Sequence, residues 1–457
     1  MKFKRIKKLH FVGIGGTGMC GIAEVLFNLG YKISGSDMKK TEVTEYLQNL
    51  GIDIKYRHEG ENIQDADVVV YSSAVTRDNP ELIAAAGKKI PAIARAEMLS
   101  ELMKMKFSIA VAGTHGKTTT TSLIGHVLSS VGFDPTVIVG GRVLGVGTNA
   151  YVGKGEYIVI EADEFDRSLL RFYPTIAVIT SIEPEHMECY ENLDDLHNCF
   201  VEFASRVPFY GSIVYCLDDP GLQQVRTRFK RPSISYGFSR HADLYATDIT
   251  YSAKGARYTC RSNGKMHGEV KIPLLGKHNV LNSLAALAVA IDLEIPFDKA
   301  AAACATFTGV GRRLELVGQV NGIKVFDDYG HHPTEIKATL EGVRRSFEGR
   351  IIVVFQPHLY SRTKAFYNEF GASFFDSDML LILEIFPSRE KPIEGITGRM
   401  VAEAALKSGH KNVRFIENKD DIPGLLKAEL KSGDLVVVIG AGDIYRLSPK
   451  ILKELEK

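Results

Sequence analysis

Three times along this chain an apolar, β-branched run leads into a glycine-rich turn and then a helix-like pattern. The segments are LHFVGIGGTGMCGIAEVLFNLG, FSIAVAGTHGKTTTTSLIGHVLSS and, near the C-terminus, DLVVVIGAGDIYRL. Repetition of strand, tight turn and helix predicts parallel α/β sheets. The runs DVVVYSS, EYIVIEAD, TIAVITSI, GRIIVVFQP and MLLILEIF are apolar almost throughout, as strands covered on both faces are. From about 232 to 275 the pattern changes to apolar–polar alternation rich in Tyr, Ser and Gly, which predicts an antiparallel excursion.

At 457 residues the chain is too long for one ordinary core and predicts about three domains. The polar stretch MKMKF and the turn TGVGRRLE place their limits at 1–105, 106–310 and 311–457. A formal charge of +1 gives no reason to expect nucleic acid or an anionic membrane as partner. The basic start MKFKRIKKLHFVGIGG is broken by glycines and reads as a first strand, about Leu9 to Val12, rather than a signal peptide. No apolar run is long enough to span a membrane. Six scattered cysteines without a CxxC pair read as reduced thiols, so the expected location is cytoplasmic.

In the first segment Gly13, Gly15 and Gly18 match G-x-G-x-x-G between strand and helix, with Gly16 inside the turn. Such a loop brings backbone N–H groups to a nucleotide diphosphate at the helix start. Asp37 follows Gly18 by 19 residues, where an acid can accept a ribose hydroxyl. NAD and a UDP-sugar satisfy this motif equally, and a turn serving only strand-to-helix packing is the alternative. The second segment is more specific. Gly113, Thr114, His115, Gly116, Lys117, Thr118 and Thr119 form a phosphate-binding loop, although Val111 stands where the strict pattern has its first glycine. Lys117 suits the β- and γ-phosphates, and Thr118 offers a hydroxyl to Mg²⁺. The acidic end of EYIVIEADEFD supplies Glu161 and Asp163 as carboxylate candidates for the metal.

Together with VVVYSSAV, IEPEHM, GKHNVLNSLAAL, VFDDYGHHPTEI, FQPHLYSRT and VIGAGDIYRL, these segments resemble the Mur ligases over essentially the whole chain. That family builds the peptide stem of bacterial cell-wall precursors. The resemblance implies a Rossmann-like N-terminal domain, a central P-loop ATPase-like α/β domain and a C-terminal Rossmann-like α/β domain. GIGGTGM with DDYGHHP points, within the family, to ligation of L-alanine to the lactyl carboxylate of UDP-N-acetylmuramate. The reaction would consume ATP with Mg²⁺ and pass through an acyl phosphate, giving ADP and phosphate. Attachment of a murein tripeptide to the same nucleotide sugar is the near alternative. A NAD-dependent oxidoreductase is remoter, because it leaves GTHGKTTT without a role. The expected assembly is a monomer or weak homodimer, with no membrane insertion.

By the same resemblance, Gly13 to Gly18, Asp37, Ser72 and Ser73 would hold the UDP portion. Glu161 and His186 would join Thr118 at metals. His278, Asn279 and Asn282, with Arg312 or Arg313, would approach ATP, helix capping being the alternative for Asn279. Tyr329, His331, His358 and Arg362 would hold the amino acid, His331 assisting loss of the ammonium proton and Arg362 pairing with the carboxylate. The polar cluster around them, which also contains Asp327, Asp328 and His332, has the alternative of merely positioning the third domain. Three positions depart from the family pattern: Phe165, Ser181 and Tyr445. No lysine occurs in HMECYENLDDLHNCFVEFASR, so the carbamylated lysine of related ligases is not expected.

Overall fold

The computed structural model describes residues 3, 5–72, 74–140, 150–185, 187–388 and 390–457. It divides into two compact units: 1–247 with 259–270 and 281–308, and 248–258 with 271–280 and 309–457.

The first unit begins with five strands, β1 (Lys8–Val12), β2 (Lys32–Ser36), β3 (Asp53–Lys55), β4 (Val68–Tyr71) and β5 (Ala92–Ala94). Their order is β3-β2-β1-β4-β5, and every pairing is parallel. This is the Rossmann arrangement, in which the strand order reverses beside β1 and ligands meet the carboxyl ends of the strands. Register aligns Val12 with both Ser36 and Tyr71, so Gly13, Asp37 and Ser72 leave the sheet at one edge.

A second sheet follows, built from β6 (Phe107–Ala112), β7 (Thr136–Ile138), β8 (Ala150–Tyr151), β9 (Tyr157–Glu161), β10 (Ile176–Ile179), β11 (Ser212–Cys216), β12 (Ser233–Gly237), β13 (Leu244–Ser252), β14 (Gly255–Ser262) and β15 (Lys265–Ile272). The order is β15-β14-β13-β12-β11-β10-β6-β9-β7-β8. The strands around β6 are parallel and buried, as their unbroken hydrophobicity demands. The alternating segment at 232–275 becomes β12 to β15. Asn263 and Gly264, at φ 50° and 76°, form the two-residue turn that joins β14 to β15, which makes that pair an antiparallel hairpin.

The second unit carries β16 (Glu315–Val320), β17 (Ile323–Asp328), β18 (Ile351–Phe355), β19 (Met379–Leu383), β20 (Val413–Ile416) and β21 (Leu435–Ile439), in the order β16-β17-β21-β18-β19-β20. All pairs are parallel except the β16–β17 hairpin. Alternation sorts the β18 side chains between two cores. Ile351, Val353 and Phe355 pack on one face with Ile336 and Phe370, whereas Ile352 and Val354 pack on the other with Leu426 and Ile451. Both cores are closed by helices, which is why the strand sequences show no polar face. Among the described residues, no helix is long and apolar enough to cross a membrane.

Candidate active site

The P-loop grows out of the register of β6. Val111 pairs with Glu161 on β9 and with Val178 on β10, so the ends of three strands meet at Gly113. Val111 is a fully buried strand residue, and the turn starts only at Gly113, which accounts for the missing first glycine. Gly113 has φ 132°, and a Cβ there would lie 2.1 Å from Thr180 Oγ1. Gly116, at φ 79°, is left-handed and immediately precedes the helix Lys117–Ser130. The Ser181 hydroxyl accepts the His115 N–H at 3.0 Å, so this departure from the family pattern holds the loop.

Lys117 folds back over this loop. Its ammonium donates to Gly113 O at 2.6 Å, to Thr114 O at 3.2 Å, and to the Glu164 carboxylate at 2.8 and 3.1 Å. Glu164 is 1% exposed, and Tyr190 Oη–H donates to its backbone carbonyl. Burial pushes the Glu164 carboxyl upward, although Lys117 opposes this. Burial pulls Lys117 down, but Glu164, Asp163 and Glu161 outweigh it and hold the ammonium charged. The expectation singled out Glu161 and Asp163 and missed Glu164. Nothing in the spacing marked Glu164, because three acids within four positions are equally acidic until the turn after β9 aims them.

Thr118 Oγ1–H donates to the Glu161 carboxylate at 3.0 and 3.1 Å, and Glu161 also accepts the Gly140 N–H. This hydroxyl–carboxylate pair is a hard-oxygen donor set of the kind Mg²⁺ prefers. Asp163 is instead engaged with the Phe165 N–H. Asn282 stands beside the loop: it accepts from Thr120 Oγ1 at 3.1 Å, and a Cβ on Gly116 would meet its Oδ1 at 2.7 Å. His186 lies outside the described residues.

At the N-terminal glycine loop, Asp37 accepts the Gly15 N–H at 2.9 Å, and a Cβ on Gly15 would meet that carboxylate at 2.8 Å. Gly13 packs against Ser72, and Gly18 packs against Arg95. Gly16 precedes the helix Thr17–Asn28. Ser73 lies outside the described residues.

In the second unit, His332 caps the helix Pro333–Arg344, and Glu335 returns to the His331 and His332 N–H groups, a reciprocal capping box. His331 Nδ1 lies 3.1 Å from Tyr329 O and 3.4 Å from Glu335. The His331 and His358 rings are 6.2 Å apart, and Arg362 Nη1 is 3.4 Å from His358 Nδ1. Tyr329, His331, His358 and Arg362 are thus gathered in one place. Leu359, between His358 and the helix Tyr360–Gly371, is held at φ 72°. Such strain in a bulky residue persists where the surroundings over-determine it, commonly at a site.

Arg312 is committed within its own unit. It lies between the rings of Tyr329 and Tyr445, bonds Asp327 Oδ2 at 3.2 Å, and donates to Gly440 O at 2.6 Å. Tyr445, the third departure, is one wall of that sandwich. Burial pushes the Asp327 carboxyl up to about 6 against the pull of Arg312. Asp328 accepts the Leu314 and Gly330 N–H groups. Both aspartates therefore anchor the loop 312–314. His278 is also in this unit; burial and then the Arg313 cation push it down to about 4, so its imidazole is neutral. Asn279 donates to Leu275 O at 2.7 Å.

Family models match three consecutive stretches: the Mur ligase family catalytic domain over residues 8–107, the Mur ligase middle domain over 111–290, and the Mur ligase glutamate ligase domain over 312–442. The chain belongs to the Mur ligase family. A UDP-N-acetylmuramate–L-alanine ligase of Geotalea uraniireducens (strain Rf4) is 47% identical over 454 residues, 99% of each chain. One from Myxococcus xanthus (strain DK1622) is also 47% identical, over 99% of this chain and 96% of its own. Among solved structures, the UDP-N-acetylmuramate–alanine ligase of Thermotoga maritima superposes with a TM-score of 0.84 at 29% identity, covering 98% of this chain and 99% of that one. A murein peptide ligase from Psychrobacter arcticus 273-4 gives 0.72 at 25% identity, covering 98% of each. The three-domain α/β fold expected of a Mur ligase is the fold observed.

Proposed function

We propose that this chain is an ATP-dependent ligase joining L-alanine to the lactyl carboxylate of UDP-N-acetylmuramate, acting in the cytoplasm. The observation that carries the reading is the convergence of Lys117, Thr118 and Glu161 at one P-loop, in a chain whose relatives of that name match it end to end. The division 1–105, 106–310 and 311–457 assigns the nucleotide sugar, ATP and the amino acid to successive domains.

A carboxylate is a poor electrophile; phosphorylation by ATP converts it into an acyl phosphate that an amine can attack. The backbone N–H groups at the start of the helix Lys117–Ser130 and the Lys117 ammonium neutralise charge developing on the transferring phosphoryl group. Leaving Glu164 for phosphate costs Lys117 one charged contact and gains another. Thr118 and Glu161 would hold Mg²⁺, which supplies further charge neutralisation on the phosphates. Arg362 holds the alanine carboxylate, and His331 accepts the ammonium proton so that the free amine attacks. Asn282 braces Gly116 and Thr120 and would approach the adenosine. His278, Asn279 and Arg312 would contribute to ATP binding, Arg312 by exchanging its present partners.

The test is product mass and phosphate release with ATP, Mg²⁺ and UDP-N-acetylmuramate offered alanine, glycine, serine or a murein tripeptide. Phosphate release should need both alanine and the nucleotide sugar. Full-rate hydrolysis without UDP-N-acetylmuramate would overturn the reading, and product only with tripeptide would reassign the substrate.

A further inference from the structure

The central sheet has a second edge, away from the phosphate loop. β6 runs from Phe107 toward Gly113, a span of about 20 Å, and β10 and β11 lie parallel to it. Where these strands begin, the surface sinks into a cavity of about 420 Å³. Its lining includes Phe107, Phe209, Tyr210, Ser212, Asp292 and Glu294. That volume falls in the range of sites that take small molecules. Phe209 and Tyr210 are 84% and 69% exposed, with their rings edge to face 5.3 Å apart. Two neighbouring aromatic rings left in water beside a hollow are apolar area that folding has not covered.

The charge of this lining has one sign, because Asp292 and Glu294 are its only charged members. Ser212 Oγ–H donates to Asp292 Oδ2 at 2.6 Å, which fixes the carboxylate and leaves Oδ1 without a partner among the described residues. The basic residues that flank the lining in sequence are committed elsewhere. Lys106 donates to Thr136 Oγ1, Gly153 O and Gly155 O, and Arg231 Nε donates to Val207 O. Both acids stand at the end of the helix Lys277–Asp292, where the last carbonyl groups add partial negative charge. Glu294 also closes that helix. Its N–H bonds Ile291 O, the Ile295 N–H bonds Ala290 O, and Glu294 itself is held at φ 57°. Glycine is the usual occupant of this left-handed position, so the glutamate carries strain that a glycine would not.

Ring faces beside carboxylates suit a cation on an apolar stem, which the rings attract and cover while the carboxylates accept its N–H groups. We infer that this cavity is a second ligand site, taking a small organic cation of the alkylguanidinium or alkylammonium class. Asp292 and Glu294 accept from its nitrogen end, and Phe209 and Tyr210 cover the stem. The inference is independent of the ligase reading, because the length of β6 separates the cavity from the phosphate loop.

Calorimetric titration of the full chain with agmatine tests it, with butylurea as the neutral analogue. Agmatine should bind at one saturable site, and butylurea at least about tenfold more weakly. Asp292→Asn should weaken agmatine about tenfold, the scale of one charge-assisted hydrogen bond. Phe209→Ser, at a position too exposed to disturb the core, should weaken it about fivefold. Saturating ADP with Mg²⁺ should leave the affinity for agmatine unchanged. Absence of saturable binding at millimolar agmatine would overturn the inference, as would an affinity that both substitutions leave unaltered. Displacement of agmatine by ADP would overturn it too, by moving the cation to the phosphate loop. Tighter binding of acetyl-Gly-Arg-Gly-amide than of agmatine would overturn the small-molecule assignment, since the cation would then belong to a partner chain.

Discussion

Replacing Lys117 by alanine tests the electrostatics of the P-loop more sharply than an activity assay does. The pair it breaks is buried, with side-chain exposures of 13% and 1% and an N–O distance of 2.8 Å. Without the lysine, Glu164 keeps its burial and its neighbouring charges on Asp163 and Glu185, all of which raise its pKa, and loses the cation that lowered it. A carboxyl raised above its unfolded value binds a proton in the folded state that the unfolded chain has released. Its stability cost therefore appears as pH rises through the window from the ordinary carboxylate range to the folded value. In the variant that window extends into alkaline pH. At about pH 6 the protonated carboxyl is tolerated, and the loss should be about 1 kcal/mol for the hydrogen bonds to Gly113 and Thr114. By about pH 9 it should reach roughly 3–5 kcal/mol, the cost of stranding one partner of a buried pair. Wild-type Glu164 is itself raised to about 7, so the extra loss accrues only above that. Two pH units at about 1.36 kcal/mol each bring the total to about 4 kcal/mol with the roughly 1 kcal/mol already lost. The chain has no tryptophan, so denaturant unfolding without nucleotide is best followed by circular dichroism. Adding Glu164→Gln should abolish the extra pH dependence. An equal loss at both pH values in Lys117→Ala would refute the reasoning. Turnover should fall by at least about 10²-fold while UDP-sugar binding persists.

Three further outcomes follow from the same geometry. Glu161→Gln keeps a partner for Thr118 but removes a charge, so the Mg²⁺ concentration for half-maximal phosphate release should rise about tenfold or more; an unchanged Mg²⁺ titration would exclude Glu161 as a ligand. Arg362→Lys retains charge without the two-pronged geometry, and should raise the KM for the amino acid about tenfold while leaving that for ATP alone. His278, pushed down to about 4, contributes stability that is complete above the unfolded value near 6.5 and is lost as pH falls toward 4. The shift corresponds to about 3 kcal/mol, so His278→Gln should flatten the acid side of the calorimetric stability curve, and an unchanged acid limb would show that the group titrates normally.

What the sequence determined by itself is local. Gly113 to Thr119 are consecutive, and a strand feeding left-handed glycines and then a helix makes a phosphate cradle from backbone alone. Strands such as Ile351–Phe355 announced burial on both faces because alternate side chains enter two cores. The capping of Pro333–Arg344 was equally present in HHPTE, although its histidines suggested metal or base chemistry first. Only tertiary structure decided which of several adjacent polar groups meet. Glu164 rather than Asp163 pairs with Lys117, 47 positions away, because the turn after β9 directs consecutive side chains differently. Arg312 looked free to reach phosphate, yet two tyrosines and Asp327 hold it, since stacking on rings from distant segments leaves no periodic trace. The contact from Glu81 through Ser36 to His58 joins three segments that the parallel crossovers bring together. Spacing along a chain records turns and faces, but long-range partners are chosen by packing, and in this molecule packing aims the charges.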